Sequence, residues 1–113
     1  MVSVRRPLRW IDYPLFDQHL ATQVPFSTGR DDGLPDPANL DRLRALEDDL
    51  LEVYGDRALF VAHETAEGLR TFHAYADSED EEIVGAVRTW ADAHDITFTT
   101  ELDPGWRAVD HFR

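Results

Sequence analysis

The sequence contains no cysteine, no lysine, a single methionine and no apolar run approaching about eighteen residues. Without cysteine, disulfides, thiolate metal centres and cysteine nucleophiles are excluded, and any metal would have to be held by histidine and carboxylate. The opening residues, MVSVRRPLRW, are charged and lack the apolar stretch of a secretory signal, so the reading is cytoplasmic with no membrane segment. The absence of lysine leaves eleven basic residues, all arginine, a bias of GC-rich coding that points to a bacterial source. Against them stand twenty-three acids, and the net charge of −12 repels phosphate backbones and anionic lipids. Nucleic acid and membrane are therefore not expected as partners.

What is present describes a folded chain. At 113 residues, with 42% apolar and 11% aromatic residues, it is too rich for a disordered segment and long enough to bury about 65% of its unfolded surface. There is no internal repeat and no low-complexity tract. Residues 1–17 read as an N-terminal arm, in which Arg5, Arg6 and Arg9 precede the first acid, Asp12, and residues 18–113 as one domain. In the arm, Trp10, Tyr13 and Phe16 are candidates to cover an edge of the fold.

Hydrophobic periodicity supplies the elements. Leu20, Thr22, Val24 and Phe26 alternate from about His19, a strand that Pro25 should stop near Val24 because proline donates no ladder hydrogen bond. The turn-rich segment Ser27 to Pro37 reads as a long loop. Asp36 then caps a helix with Pro37 in its first position and Leu40, Leu43, Leu46, Leu50 and Val53 at helical spacing, closed by Gly55. ALFVAHETAEGLRTFHAYA is a hairpin signal, and a loop over Ala66 to Gly68 would set Glu64 opposite Arg70. Ser78 and Glu81 make a capping box for a second helix carrying Ile83, Val87, Trp90 and Ala91, which ends near His94. Ile96, Phe98, Thr100 and Leu102 alternate as the last strand, and Asp103 with Pro104 opens a short terminal helix spacing Trp106, Val109 and Phe112. The order β, α, β, β, α, β predicts an α+β, ferredoxin-like sandwich. It has a four-stranded antiparallel sheet, two helices on one face and a short C-terminal helix.

Three segments carry a resemblance: GLP at Gly33 to Pro35, GLRTFHAYADS at Gly68 to Ser78 and DPGW at Asp103 to Trp106. Over residues 18 to 113 they resemble the bacterial family called domain of unknown function 695, whose strand-borne R-x-x-x-x-Y pattern is matched by Arg70 and Tyr75. That family is similar in turn to the ribonuclease E inhibitor family, regulator of ribonuclease activity B, acidic ferredoxin-like proteins that bind an endonuclease. The resemblance implies a ferredoxin-like fold and a regulatory role through a protein partner.

No catalytic constellation emerges from the residues. His63-Glu64 lacks the second histidine of a zinc-protease helix, the DSEDEE run lacks the spacing of a calcium loop, and no Ser-His-Asp order or glycine-rich phosphate loop appears. No metal and no cofactor are expected. The candidate binding residues are His63, Arg70, His73, Tyr75 and Trp106. The two histidines lie on adjacent hairpin strands and meet only if they share a face, and the Arg70 fork suits a carboxylate or phosphate. Each has a structural counterpart: locally bonded strand histidines, Arg70 paired with Glu64, and Trp106 as an anchor for the terminal helix. The reading is a binding or regulatory module rather than an enzyme, with catalysis left open, acting through a protein partner or as a homodimer. The alternative is an uncharacterised enzyme or small-molecule binder using His63, Arg70, His73 and Tyr75 on the sheet.

Overall fold

The computed structural model describes residues 2–4, 15–26, 37–66 and 68–112, with the backbone alone for 2–4 and 110–112. Arg5, Arg6, Arg9, Trp10, Tyr13, the loop to Asp36 with its GLP segment, and the Phe112 side chain lie outside the described residues. The strands are β1 (Val2–Val4), β2 (Gln18–Pro25), β3 (Ala58–Ala66), β4 (Leu69–Ala76) and β5 (Thr97–Leu102). The helices are α1 (Pro37–Tyr54) and α2 (Glu81–Ala93), followed by a 3-10 helix (Arg107–Phe112).

The sheet runs β1-β3-β4-β2-β5 with every described pairing antiparallel. Leaving β1 aside, this is the ferredoxin-like sandwich that the element order predicts, with α1 joining β2 to β3 and α2 joining β4 to β5. β1 adds a fifth strand on the outer edge of β3, Val2 opposite Glu64 and Val4 opposite Ala62. The segment read as an arm thus contributes backbone to the sheet. Three residues carry too little periodicity to be seen as a strand in advance.

Alternation along the central strands divides the molecule into two layers. Leu20 and Val24 of β2 and Phe72, Ala74 and Ala76 of β4 meet Leu43, Leu50 and Tyr54 of α1 and Ile83, Val87, Trp90 and Ala91 of α2 in the larger core. Val61, Ala62, Tyr75, Trp106 and Val109 form a second, smaller core on the other face, with Phe16 and Leu59 packed against it. Among the described residues no helix is long and apolar enough to cross a membrane.

Three local expectations are corrected. Ala66 pairs with Leu69, so the hairpin loop is two residues, with Gly68 at φ 79°, and Glu64 stands opposite Thr71 while Arg70 stands opposite Thr65. A one-residue change of register sends every side chain to the other face, and Glu64 and Arg70 lie on opposite sides of the sheet. The cap of α2 is Asp80, whose Oδ1 accepts from Ile83 N at 3.2 Å, whereas Ser78 donates its N–H and hydroxyl to Asp17 at 2.9 and 3.0 Å. Asp80 is held in place by Arg57, which donates Nε to Oδ2 at 2.8 Å. The last helix starts at Arg107, and Pro104 lies in the turn before it.

Pro25 sits at the end of β2, paired only with Leu69 after the β5 ladder has stopped at Gln23, as its missing donor requires. Gly55 closes α1 at φ 54° with its N–H bonded to Leu51 O at 3.1 Å. A Cβ there would meet nothing within 4 Å, so its cost is purely conformational. Gly55→Ala should lower unfolding free energy by about 1–2 kcal/mol in urea titration with an unchanged m-value.

Candidate functional site

The sheet face away from the helices carries most of the polar side chains that chemistry would use. On β4 the odd residues, Thr71, His73 and Tyr75, point there, and in the β2 register Ala21 is opposite His73 and His19 opposite Tyr75. His19 and His73 are therefore diagonal neighbours on two central strands, each less than a tenth exposed. His19 Nε2 lies 2.9 Å from His73 Nδ1, with ring centroids 5.2 Å apart and planes at 24°. That separation is close to the nitrogen distance plus two ring radii, so the imidazoles meet end to end, one N–H donating to one lone pair. The bond requires at least one neutral ring.

Each end of the pair meets a carboxylate environment. The Glu64 Oε1 lies 3.5 Å from His73 Nε2, a distance that biases the His73 proton toward that nitrogen without making a full hydrogen bond. With the proton on that nitrogen, His73 Nδ1 accepts from His19 Nε2, and the opposite tautomer reverses the bond. His19 lines a depression of about 170 Å³ with Thr99, Thr100 and Glu101 of β5. Burial, and then the His73 neighbour, lower the His19 pKa from its ordinary 6.5 to about 4, against a smaller upward pull from Asp103. The ring is neutral at pH 7, which the hydrogen bond between the two imidazoles allows.

Beside this line the DPGW segment closes over Tyr75. Trp106 is fully buried, stacked on Tyr75 with centroids 4.6 Å apart and planes at 15°, and donates Nε1 to Phe16 O at 2.8 Å. Its φ of 52° is a left-handed conformation that a tryptophan adopts only when its surroundings impose it. Tyr75 donates its hydroxyl to Asp103 Oδ2 at 2.7 Å, and Asp103 also accepts from Arg107 N and Ala108 N, both at 2.9 Å. Burial by itself would raise the Asp103 carboxyl. The bonds from Ala108, Tyr75 and Arg107, with His19 nearby, outweigh it and hold the pKa below the usual value.

The structure splits the four residues of the sheet-borne site read from sequence. His73 and Tyr75 lie on this face. Arg70 is on the helix face opposite Thr65, and so is His63, opposite Phe72. His63 reaches that side because the β3 register shifts between Phe60 and Ala62, a bulge at Val61 that moves every later residue of the strand to the other face. There His63 Nδ1 meets Glu47 Oε1 of α1 at 2.8 Å. His19, which sequence reading placed only as the start of a strand, is the residue that pairs with His73. Its one signal is position: it is the odd-numbered neighbour of the alternating Leu20, Thr22 and Val24. Among the described residues no three ligating side chains gather as a metal cage would require.

The lowered His19 pKa makes folding sensitive to pH. The unfolded chain binds a proton at this ring below about 6.5 and the folded chain only below about 4, so stability is complete above 6.5 and declines as pH falls toward 4. The decline should be on the order of a few kcal/mol. His19→Asn should flatten that part of the profile in urea titrations between pH 7 and 4. In the same assay at pH 7, Asp103→Asn should cost roughly 2–3 kcal/mol, because Tyr75 and two backbone donors lose a charged acceptor.

No curated protein and no solved structure matches the chain. A family model described as a family of unknown function, DUF695, matches residues 6–112, which extends the likeness from residue 18 back through Phe16 and Asp17, whose backbone and side chain hold Trp106 and Ser78. With all but a few terminal residues of the chain inside that match, the protein belongs to the DUF695 family of unknown function.

Proposed function

We propose that the protein is a binding or regulatory module that works by docking a basic surface of another protein on its acidic helical layer. The observation that carries this reading is the concentration of exposed carboxylates where α1 ends and α2 begins. Asp48, Asp49 and Glu52 lie on the last turns of α1, Asp56 follows it, and Glu79, Glu81 and Glu82 open α2, all exposed. Arg57 joins the two ends through Asp80, with Glu82 3.4 Å from the same guanidinium. One arginine among so many acids leaves a field of a single sign, which steers a basic partner and speeds encounter more than it adds affinity.

The resemblance to the acidic inhibitors of ribonuclease E supports the same class of action, a small acidic body that occupies a larger protein. The face bearing His19 and His73 supports it less well, since Tyr75, Trp106 and Asp103 are engaged with one another. The reading does not require catalysis.

Neutralising the patch tests the proposal. The chain and its Asp49→Asn, Glu52→Gln, Glu79→Gln, Glu81→Gln variant, all changed at exposed positions, are used as bait in bacterial lysate at low and high salt. A partner retained by the native chain at low salt, released by salt and not retained by the variant is the expected outcome, confirmed by titrating the purified pair. If both baits hold the same proteins, or neither holds a salt-sensitive one, docking through this surface is wrong.

A further inference from the structure

The two edges of the sheet are guarded unequally. At one edge stands β1, three residues long, and so short a strand offers little backbone for another chain to pair with. At the other, β5 runs six residues in unbroken register with β2, from Thr97 opposite Gln23 to Leu102 opposite Gln18. Its sequence, TFTTEL, holds no proline, no basic residue and one acid, so the usual devices that blunt an edge are missing. Among the described residues no strand pairs with its outer side. The N–H and C=O groups that point away from β2, along about 20 Å of strand, are open to a further ladder.

Apolar side chains collect at this edge. The two exposed large hydrophobics among the described residues are Leu15 and Leu102, at 71% and 68%. Both lie at the end of the sheet where Asp103 N donates to Asp17 O at 2.7 Å. Phe98, Thr100 and Leu102 share the face of Leu20, toward the helices, and Thr99 and Glu101 take the other face, where both are exposed. The Phe98 ring is half-buried, with the Arg88 guanidinium 5.0 Å from its centre.

We propose that the outer edge of β5 is the interface with a second copy of this chain. The two β5 strands pair antiparallel about a two-fold axis at Thr100, and two five-stranded sheets become one of ten. Alternation restricts the register, because the helices of both copies lie on one side only if each residue pairs with one of the same face. An axis at Phe98 or Thr99 leaves Leu102 beyond the partner's strand, one at Leu102 leaves almost no ladder, and one at Glu101 sets two carboxylates directly opposite each other, which is destabilising. At Thr100, Phe98 of each copy meets Leu102 of the other and Thr99 meets Glu101. Each contact is made twice by symmetry, the exposed leucine is covered by an aromatic ring, and no acid faces an acid. A foreign strand can use the same backbone groups but carries no matching spacing of aromatic and leucine, and this self-complementarity selects a second copy as the occupant.

Each copy carries a net charge of −12, so the two repel at long range and added salt should tighten the pair. A basic protein docked on the acidic helical layer is released by salt, so the two surfaces are distinguished by the sign of the salt effect and neither depends on the other.

Sedimentation velocity of the full chain from about 10 μM to about 1 mM, at low and high salt, tests the proposal. A dimer that grows with concentration and with salt is expected. Leu102→Glu should weaken it at least about tenfold, Thr99→Glu should weaken it by opposing Glu101 of the other copy, and Thr99→Arg should strengthen it. All three change exposed positions, so the melting temperature at low concentration should stay nearly unchanged. The chain has no cysteine, which allows the register to be tested directly: a mixture of Thr99→Cys and Glu101→Cys chains should form a disulfide-linked dimer under mild oxidation, and either chain alone should not. The proposal is overturned if the chain is monomeric throughout, which leaves the edge to a foreign strand or to none, if Leu102→Glu dimerises as the native chain does, or if either cysteine variant alone cross-links as readily as the mixture.

Discussion

The pairing of Ala66 with Leu69 across a two-residue turn decides the chemistry of both sides of the sheet. Because side chains alternate strictly along a strand, this one contact assigns Arg70, Phe72, Ala74 and Ala76 to the helices and Thr71, His73 and Tyr75 to the opposite face. Had the turn held three residues, Glu64 would lie opposite Arg70, and for β4 to keep its apolar residues under the helices β3 would have to turn over. The larger core forbids that, since Phe60 and Phe72 stand 6.2 Å apart within it and α1 closes over both. Gly68, at φ 79°, is what lets the chain reverse so tightly.

Once the register is set, the second face has to satisfy what it buries. Two histidines, a tyrosine hydroxyl and a carboxylate lie there with little access to water, and each is matched to a neighbour: His19 to His73, Tyr75 to Asp103, Asp103 to the backbone of the terminal 3-10 helix. Keeping His19 neutral costs less than burying it charged beside His73, and this is the physical origin of its lowered pKa. The DPGW turn serves the same network, because Asp103 caps the helix that Trp106 fastens to Tyr75.

Much of this was legible in the sequence, and the failures share a cause. Long periodic stretches, such as Leu43 and Leu50 in α1 or Ile83, Val87 and Trp90 in α2, place elements and their buried sides correctly, as do Gly55 and Pro25 their ends. Which residues meet across strands depends instead on single-residue events that leave no periodic trace: the length of one turn and the bulge at Val61. Those two events moved Arg70 and His63 under the helices and left His73 and Tyr75 behind, so a four-residue site legible as spacing became two unrelated pairs. The exchange of Ser78 for Asp80 as the cap of α2 is similar in kind. Both fit the spacing rules, and Arg57, distant in sequence, selects Asp80.

The distribution of charge follows from the same division into layers. Helices of a two-layer sandwich expose their outer faces fully, and acids placed there near the start of α2 are compatible with its dipole. Arginine is tolerated inside only where its stem is covered by apolar neighbours and its head meets acceptors, and Arg70 has the first condition met by the sheet and α1 but the second met only in part, by Thr65. A chain selected for stability alone would replace such a residue with leucine or methionine, since a well-packed apolar side chain in that place is as stable or more so. That an acidic protein keeps a desolvated guanidinium beside Arg44, with Glu47 as the nearby carboxylate, is therefore a cost to folding that the packing of the two layers has to offset.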